Sequence, residues 1–244
     1  GELLCGGLED FERVGLLFPV RMPGGEAAIR QPWRMACAWL AASVDGPPRP
    51  PRQLTRQVDE RAWEQVSELA ASGLASPLTT SAGRLFDAVA ALCGLRAEVN
   101  YEGQAAVELE AACDLGEQRA YPMPLLDDDG PLVMDARPLV RALVDDLAAG
   151  IDAGTIAARF HNALAATTAH GCTLAAERAG TDTVVLSGGV FQNRRLLGRT
   201  ASLLSDGGLR VLTPELLPPN DGGIAYGQLA VAAARVAADG GPDA

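Results

Sequence analysis

The amino-acid sequence predicts an α/β fold with a helical subdomain, and three observations lead to this prediction. Residues 183–186 form a short apolar run, typical of a strand buried on both faces, which leads into Gly188 and Gly189 and then a helix. Strand and helix patterns alternate after Tyr121. Residues 26–119 instead carry mostly helical patterns.

The first 25 residues are predicted to be strands that enter the sheet. The segment ERVGLLFPVRM at 12–22 alternates in hydropathy, with Val14, Leu16 and Phe18 on one face. It ends at the turn signal PGG.

Residues 26–119 are predicted to form a mainly helical lobe. Four segments have helical composition, and Gly73 and Gly94 are typical helix stops: AAIRQPWRMACAWLAAS, RAWEQVSELAASG, GRLFDAVAALCG and GQAAVELEAAC. The proline-rich PPRPPRQ at 47–53 indicates a rigid surface connection between the first two.

Residues 120–244 are predicted to form an α/β lobe with a mixed sheet. The DDG at 128–130 lies between two short apolar runs and indicates a hairpin. The elements expected after it are helices at about 137–149 and 153–179, a strand at 183–187, a helix from Asn193 to Leu204, a strand at 209–213 and a final helix after PPNDGG.

Composition excludes several classes of function. The net charge of −11 and the pI near 4.6 argue against direct nucleic-acid binding, because phosphate contacts need a basic face. The chain has no apolar run long enough for a membrane span and no signal-peptide pattern, so we expect a cytoplasmic protein that does not contact a membrane. The 5 cysteines are scattered without a CxxC pair, which argues against a zinc knuckle or a disulfide framework.

The glycine pair has two interpretations. A strand followed by two glycines and a helix N-terminus leaves a surface without side chains beside backbone N–H groups, which suits the ribose and phosphate of a nucleotide. Glycine pairs also follow strands in many ordinary turns, and the spacing alone does not decide between the two.

Five segments together resemble the carbamoyltransferase domain of the HypF hydrogenase maturation family. They occur in family order, and they are PGGEAAIRQPWRMA, GRLFDAVAALCGL, YEGQAAVELEA, LSGGVFQNRRLL and LPPNDGGIAYGQ. The resemblance implies the sugar kinase/Hsp70/actin-like (ASKHA) fold, with residues 120–244 as the nucleotide-binding lobe. It also leads us to expect only the C-terminal part of that domain, because the family's histidine-containing metal segment has no match here.

The resemblance further implies a reaction and its partners. In this family, carbamoyl phosphate and ATP yield carbamoyl adenylate, and the carbamoyl group passes to the C-terminal cysteine of a HypE-like acceptor protein on the route to a cyanide ligand. The acceptor sulfur belongs to the partner, so no nucleophile is expected on this chain. A partial domain is expected to be poorly active or inactive alone.

The resemblance assigns nucleotide-binding roles to residues of both lobes. Asp87 would accept hydrogen bonds from ribose hydroxyls, although an acidic residue in a first helical turn is also favoured by the helix dipole. Glu102 and Gln104 would point at the same cleft, with helix capping as the alternative for Glu102. The remaining expected residues, which lie at helix starts and in the glycine turn, are Gly83, Gly103, Gly188, Gly189, Gln192 and Asn193.

Asp221 would be a ligand of iron or zinc in the complete domain, where two histidines at i, i+4 spacing supply the other protein ligands. Helix capping by Asn220 and Asp221 is the competing interpretation. His161 and His170, nine residues apart, do not match the histidine pair. His161 is expected to pack or bond near the cleft and His170 to be structural.

Three alternatives stay open. A tRNA threonylcarbamoyl transferase would share the fold and the glycine turn, and an O-carbamoyltransferase is a further relative with less matching sequence. The third is a fragment that binds nucleotide or docks to a partner without catalysing a reaction.

Overall fold

The computed structural model describes residues 1–238 as an α/β arrangement of 8 strands and 10 α-helices, which confirms the predicted fold class. The predicted α/β lobe runs to residue 244, so its last residues, 239–244, lie outside the described range. Among the described residues, no helix has the length and hydropathy that a membrane span requires.

The strands lie in three sheets. The strands are β1 (Glu2–Gly6), β2 (Phe11–Leu17), β3 (Val20–Arg21), β4 (Leu78–Thr79), β5 (Leu125–Leu126), β6 (Leu132–Met134), β7 (Thr183–Val185) and β8 (Arg210–Leu212). The largest sheet is mixed and has the order β1-β2-β6-β5, with only the central β2–β6 pair parallel. Strands β3 and β4 form a small antiparallel pair, and β7 and β8 form a parallel pair.

The helices match the predicted segments closely. They are α1 (Ala27–Arg30), α2 (Pro32–Ser43), α3 (Arg52–Thr55), α4 (Glu60–Ser72), α5 (Ala82–Leu92), α6 (Gln104–Ala112), α7 (Arg137–Ala148), α8 (Ala153–Ala179), α9 (Arg194–Asp206) and α10 (Ile224–Ala238). Local signals fix several ends: the Asp152 carboxylate accepts from the Thr155 amide at the start of α8, and Gly180 ends that helix in the left-handed conformation.

One continuous core runs through the described chain. It includes residues of the four-stranded sheet and of helices α2, α5, α7 and α8, and its largest fully buried side chains include Trp39, Phe86 and Phe160. Helix α8 approaches the sheet closely at Gly171, where an added Cβ would lie 2.8 Å from the Leu3 side chain. Because the core is continuous, the division into segments 1–25, 26–119 and 120–244 stays a prediction.

The prediction that residues 183–186 form an interior strand buried on both faces is wrong. Within the described residues, β7 pairs only with β8, and the Val185 side chain is 62% exposed. Helices α8 and α9 cover one face of the pair, where Leu186 is buried. An apolar run indicates that a strand needs cover on both faces, but it does not say whether the same chain supplies that cover.

Candidate functional site

The glycine turn follows β7 and leads into α9. Gly188 has φ of +98°, in the left-handed region that favours glycine, and residues 189–192 form a short 3₁₀ turn. Asn193 then caps α9, because its Oδ1 accepts from the Leu196 amide at 2.8 Å. The predicted strand, glycine turn and helix are therefore present, with a 3₁₀ turn inserted before the helix.

The space beside the two glycines is open. Among residues 1–238, a Cβ added to Gly188 would meet no atom within 4 Å, and one added to Gly189 would meet only the Cβ of Asn220, at 3.9 Å. An open cavity of about 440 Å³ lies here, between the glycine turn and the segment from Pro214 to Gly227. Asp221 lines the same cavity, so the structure brings together two features that lie far apart in the sequence.

A second polar cluster lies at the start of α5. The Arg84 Nη2 atom lies 3.0 Å from Asp87 Oδ2 and 3.5 Å from Glu102 Oε1. Arg84 and Asp87 are both buried, whereas the Glu102 side chain is 73% exposed. Sequence reasoning missed Arg84, although its i, i+3 spacing from Asp87 signals the pair.

The ion pair at α5 is incompletely hydrogen-bonded. Despite its closeness to Arg84, Asp87 Oδ2 makes no hydrogen bond of acceptable geometry within residues 1–238, and neither does Arg84 Nη1. Burial raises the pKa of Asp87 from 3.8 to about 6, although the Arg84 charge opposes the shift. A buried carboxylate with an unused oxygen suits a ligand that donates hydrogen bonds.

The remaining predicted residues near α6 have mainly local roles. Gln104 is buried and uses both polar groups inside the chain, because its Oε1 accepts from the Asn100 amide and its Nε2 donates to Glu108. Gly103, at the N-cap of α6, has φ of +88°, so its backbone conformation alone explains the glycine. Glu102 does not cap α6, so the capping alternative for this residue is wrong.

Gly83 lies in the first turn of α5, which Ser81 caps. Gln192 is exposed at the end of the 3₁₀ turn. The assignment of either residue to nucleotide binding stays a prediction.

His161 connects the two clusters, as expected for a residue that bonds near the cleft. Its ring makes an edge contact with Phe86, which precedes Asp87 in α5 (5.2 Å between ring centroids). Its Nε2 lies 2.9 Å from the side-chain nitrogen of Asn193. His170 is exposed on α8.

No residue of α5 or α6 lines the cavity at the glycines, so binding of one nucleotide by Asp87 and the glycine pair together stays a prediction.

The described residues do not fit a metal centre by themselves. Residues 1–238 contain no group of three or more His, Cys, Asp or Glu side chains placed to hold an ion. A closed iron or zinc site needs about three protein ligands, and Asp221 would supply only one. Asn220, not Asp221, provides the side-chain cap at this turn, accepting from the Gly222 amide at 3.1 Å.

A larger cavity, of about 570 Å³, lies between β3, α2, α4 and the loop at 46–48. None of the predicted site residues lines it. We therefore place the candidate site at the glycine turn and α5, where the polar side chains and the open space occur.

Comparison with known proteins gives a family match for most of the chain. The model of the family described as "Carbamoyltransferase, Kae1-like Domain, second subdomain" matches residues 1–228. A carbamoyltransferase HypF of Rhodobacter capsulatus is 40% identical over 244 residues, covering 97% of this chain and 30% of that protein. A carbamoyltransferase HypF of Rhizobium leguminosarum bv. viciae is 37% identical over 235 residues, covering 95% of this chain and 29% of that protein.

A solved structure of full-length HypF, in the phosphate- and nucleotide-bound form, superposes on this chain with a TM-score of 0.88. It is 35% identical, and the match covers 96% of this chain and 30% of that one. The chain therefore spans about 30% of the length of these relatives.

Proposed function

The chain belongs to the HypF carbamoyltransferase family, as the second subdomain of its Kae1-like domain, and we propose that it forms one wall of a site for a carbamoyl nucleotide. The observation that carries the proposal is the open cavity beside Gly188 and Gly189. Because neither glycine carries a side chain, a flat base or a ribose in this cavity can approach the backbone closely.

Asp87 is proposed to hold the ribose. Its unused Oδ2 is an acceptor, and ribose hydroxyls are donors that would complete its hydrogen bonding. Arg84 keeps a positive charge beside this carboxylate, which favours the ionised form needed to accept two hydroxyl hydrogens.

The reaction proposed for the complete domain transfers a carbamoyl group from carbamoyl adenylate, made from carbamoyl phosphate and ATP, to a cysteine of a HypE-like acceptor protein. The acceptor thiolate attacks the carbamoyl carbon, a carbon–sulfur bond forms, the bond from that carbon to the phosphate oxygen breaks, and AMP leaves. This chain would contribute positioning of the nucleotide. No step of this reaction is assigned to a metal, because residues 1–238 do not fit a metal centre.

Four of the five cysteines of this chain support an external nucleophile. Burial raises the pKa of Cys37 and Cys93 to about 12, and that of Cys113 and Cys172 to about 11. A thiol with so high a pKa forms almost no thiolate near neutral pH, and the thiolate is the nucleophile.

The other wall of the site is proposed to come from the first subdomain of the Kae1-like domain, docked on α10. Apart from Gly227, Gln228 and Arg235, the sequence of α10 is apolar, yet none of its residues is buried. The exposed large residues of this α10 surface are Ile224, Tyr226, Leu229 and Val236, at 52%, 60%, 68% and 62% exposure. A helix that is apolar on all sides is normally buried.

Three findings support this occupant over a second copy of the chain. The matched family model is that of a second subdomain, and the relatives are about three times as long as the matched region. Ile224 and Tyr226 also line the cavity at the glycine turn, so a subdomain docked on α10 would border the nucleotide.

Titration calorimetry with AMP tests the proposal. The chain combined with the first subdomain should bind AMP, and Gly189→Val should abolish binding while the protein stays folded. AMP affinity unchanged by Gly189→Val would show that the glycine pair serves only the turn. Carbamoyl transfer to the acceptor protein, measured on the same proteins, separates a catalytic domain from one that only binds nucleotide.

A further inference from the structure

His161, in the first half of α8, contacts both parts of the candidate site. The ring is 1% exposed and packs edge-on against Phe86 of α5 and Phe160 of α8. Its Nε2 lies 2.9 Å from Nδ2 of Asn193, the residue that ends the glycine turn and caps α9. The imidazole therefore lies between the helix that carries Asp87 and the turn that carries Gly188 and Gly189.

The hydrogen-bond partners fix the direction of each bond. Nδ1 of His161 lies 2.7 Å from the Ala157 carbonyl oxygen, which can only accept, so Nδ1 carries the hydrogen and Nε2 is an acceptor. The Asn193 amide nitrogen donates to Nε2, because the Asn193 Oδ1 atom already accepts from the Leu196 amide. The Cys113 sulfur also lies 3.3 Å from Nδ1.

The state of the imidazole agrees with this geometry. Burial lowers the pKa of His161 to about 4; the Ala157 hydrogen bond opposes this shift, and the Arg195 charge adds slightly to it. The ring is therefore neutral at neutral pH, and Nε2 keeps its lone pair free to accept.

The bond between Asn193 and His161 is not needed to cap α9. An N-cap requires only a side-chain acceptor, which serine or aspartate supplies as well as asparagine does. The amide nitrogen of Asn193 serves a different contact, since it reaches across to α8. This second contact fixes the rotation of the Asn193 side chain and, through it, the end of the glycine turn.

We propose that His161 is a positioning residue for the nucleotide site, which holds the turn of residues 188–193 in register with the Asp87 helix through its hydrogen bond to Asn193. The consequence for nucleotide binding rests on the proposed function. The positioning itself can be measured without nucleotide.

Three variants separate the hydrogen bond from packing and capping. Asn193→Ser keeps a cap acceptor and removes the donor to His161. His161→Asn keeps a donor near the Ala157 carbonyl but is too short to reach Asn193. His161→Gln is the matched control, because its longer side chain can place an acceptor oxygen near the position of Nε2.

The first measurement is amide hydrogen exchange in the full chain without nucleotide. The amides of Phe191 and Asn193 donate to Gly188 and Val190 within the turn, so they report its order. We expect their exchange to quicken about fivefold to tenfold in Asn193→Ser and His161→Asn, as for loss of one hydrogen bond, and to change little in His161→Gln. The Leu196 amide should stay protected in Asn193→Ser.

The second measurement is AMP affinity by calorimetry on the same variants combined with the first subdomain. Asn193→Ser and His161→Asn should weaken binding by about fivefold to tenfold, and His161→Gln should restore it. If the wild-type protein binds no AMP, the proposed function fails, while hydrogen exchange still decides the role of His161.

Equal exchange of the backbone amides at positions 191 and 193 in wild type and Asn193→Ser would overturn the proposal and leave His161 as a core residue only. If His161→Asn fails to fold, Asn193→Ser still decides the question, because it leaves the buried ring in place.

Discussion

Arg84 Nη2 lies 3.0 Å from Asp87 Oδ2 within one buried turn of α5, and this ion pair leaves hydrogen-bonding capacity unused on both residues. An ion pair whose hydrogen bonds are all made within its own chain needs no ligand. This pair still has an acceptor and a donor to offer, so its chemistry can be tested by pH and by substitution.

Asp87→Asn should change how stability depends on pH. Burial raises the folded-state pKa of Asp87 from 3.8 to about 6, so this group stabilises the fold fully below pH 3.8 and loses that contribution as the pH rises through about 6. Wild type should therefore lose on the order of 2–3 kcal/mol relative to Asp87→Asn between pH 4 and 7. Thermal unfolding of both proteins across this pH range checks the sign of the effect. A difference in unfolding free energy that does not change with pH would contradict the prediction.

Asp87→Asn should also weaken AMP binding. A ribose hydroxyl donates more strongly to a carboxylate than to an amide oxygen, so we expect a loss of roughly tenfold or more at pH 7. Wild-type affinity should rise as the pH passes through about 6, because the ionised form is the better acceptor. Calorimetry at pH 5 and pH 7.5 measures both effects, and equal affinity of the two proteins would remove Asp87 from the site.

Gly189→Val should abolish AMP binding and leave the fold intact. The added side chain enters open space, since within the described part of the chain the new Cβ would have only the Asn220 Cβ near it, at 3.9 Å. Unfolding free energy should change by less than about 1 kcal/mol. Gly198→Val is the control, because it also enters open space but lies within α9, and it should keep AMP affinity. Equal AMP affinity in both variants would contradict the prediction.

Leu229→Lys should weaken docking of the first subdomain on α10. Leu229 is 68% exposed on the α10 surface, and its burial in a complex would be worth roughly 1.5–3 kcal/mol, or about 10-fold to 100-fold in affinity. Sedimentation of the chain mixed with the first subdomain measures the loss. Leu74→Lys, at a 70% exposed leucine after α4, should leave association unchanged. If both variants bind like wild type, another surface receives the subdomain.

Asp221→Ala should affect metal content rather than stability. Because Asn220 forms the cap, Asp221→Ala should change unfolding free energy by less than about 0.5 kcal/mol, whereas Asn220→Ala should cost about 1 kcal/mol. If Asp221 is a metal ligand of the complete domain, a protein with both subdomains should lose iron or zinc in Asp221→Ala but not in Asn220→Ala. Elemental analysis of both variants and of wild type measures this. Unchanged metal content would place the site elsewhere.

The sequence predicted most elements because their signals are local. Asp152 and Gly180 mark both ends of α8, and the turn at 128–130 lies between the paired strands β5 and β6. The ion pair of α5 could also be predicted, since Arg84 and Asp87 lie three residues apart.

Two features could not be predicted because they depend on the tertiary fold. The contact between His161 and Asn193 joins residues 32 positions apart, and no local pattern specifies it. The exposure of β7 depends on which neighbours exist in three dimensions, and the hydropathy of residues 183–186 is the same with or without them.

The length of α8 limits how the proposed nucleotide site can open and close. Its 27 residues span roughly 40 Å, and this one helix contacts strands of the four-stranded sheet as well as β7 and α9. A hinge between the two sheets would have to bend or break this helix. Domain closure around a substrate would therefore be a rigid-body rotation of the whole chain against the first subdomain, with its hinge outside α8.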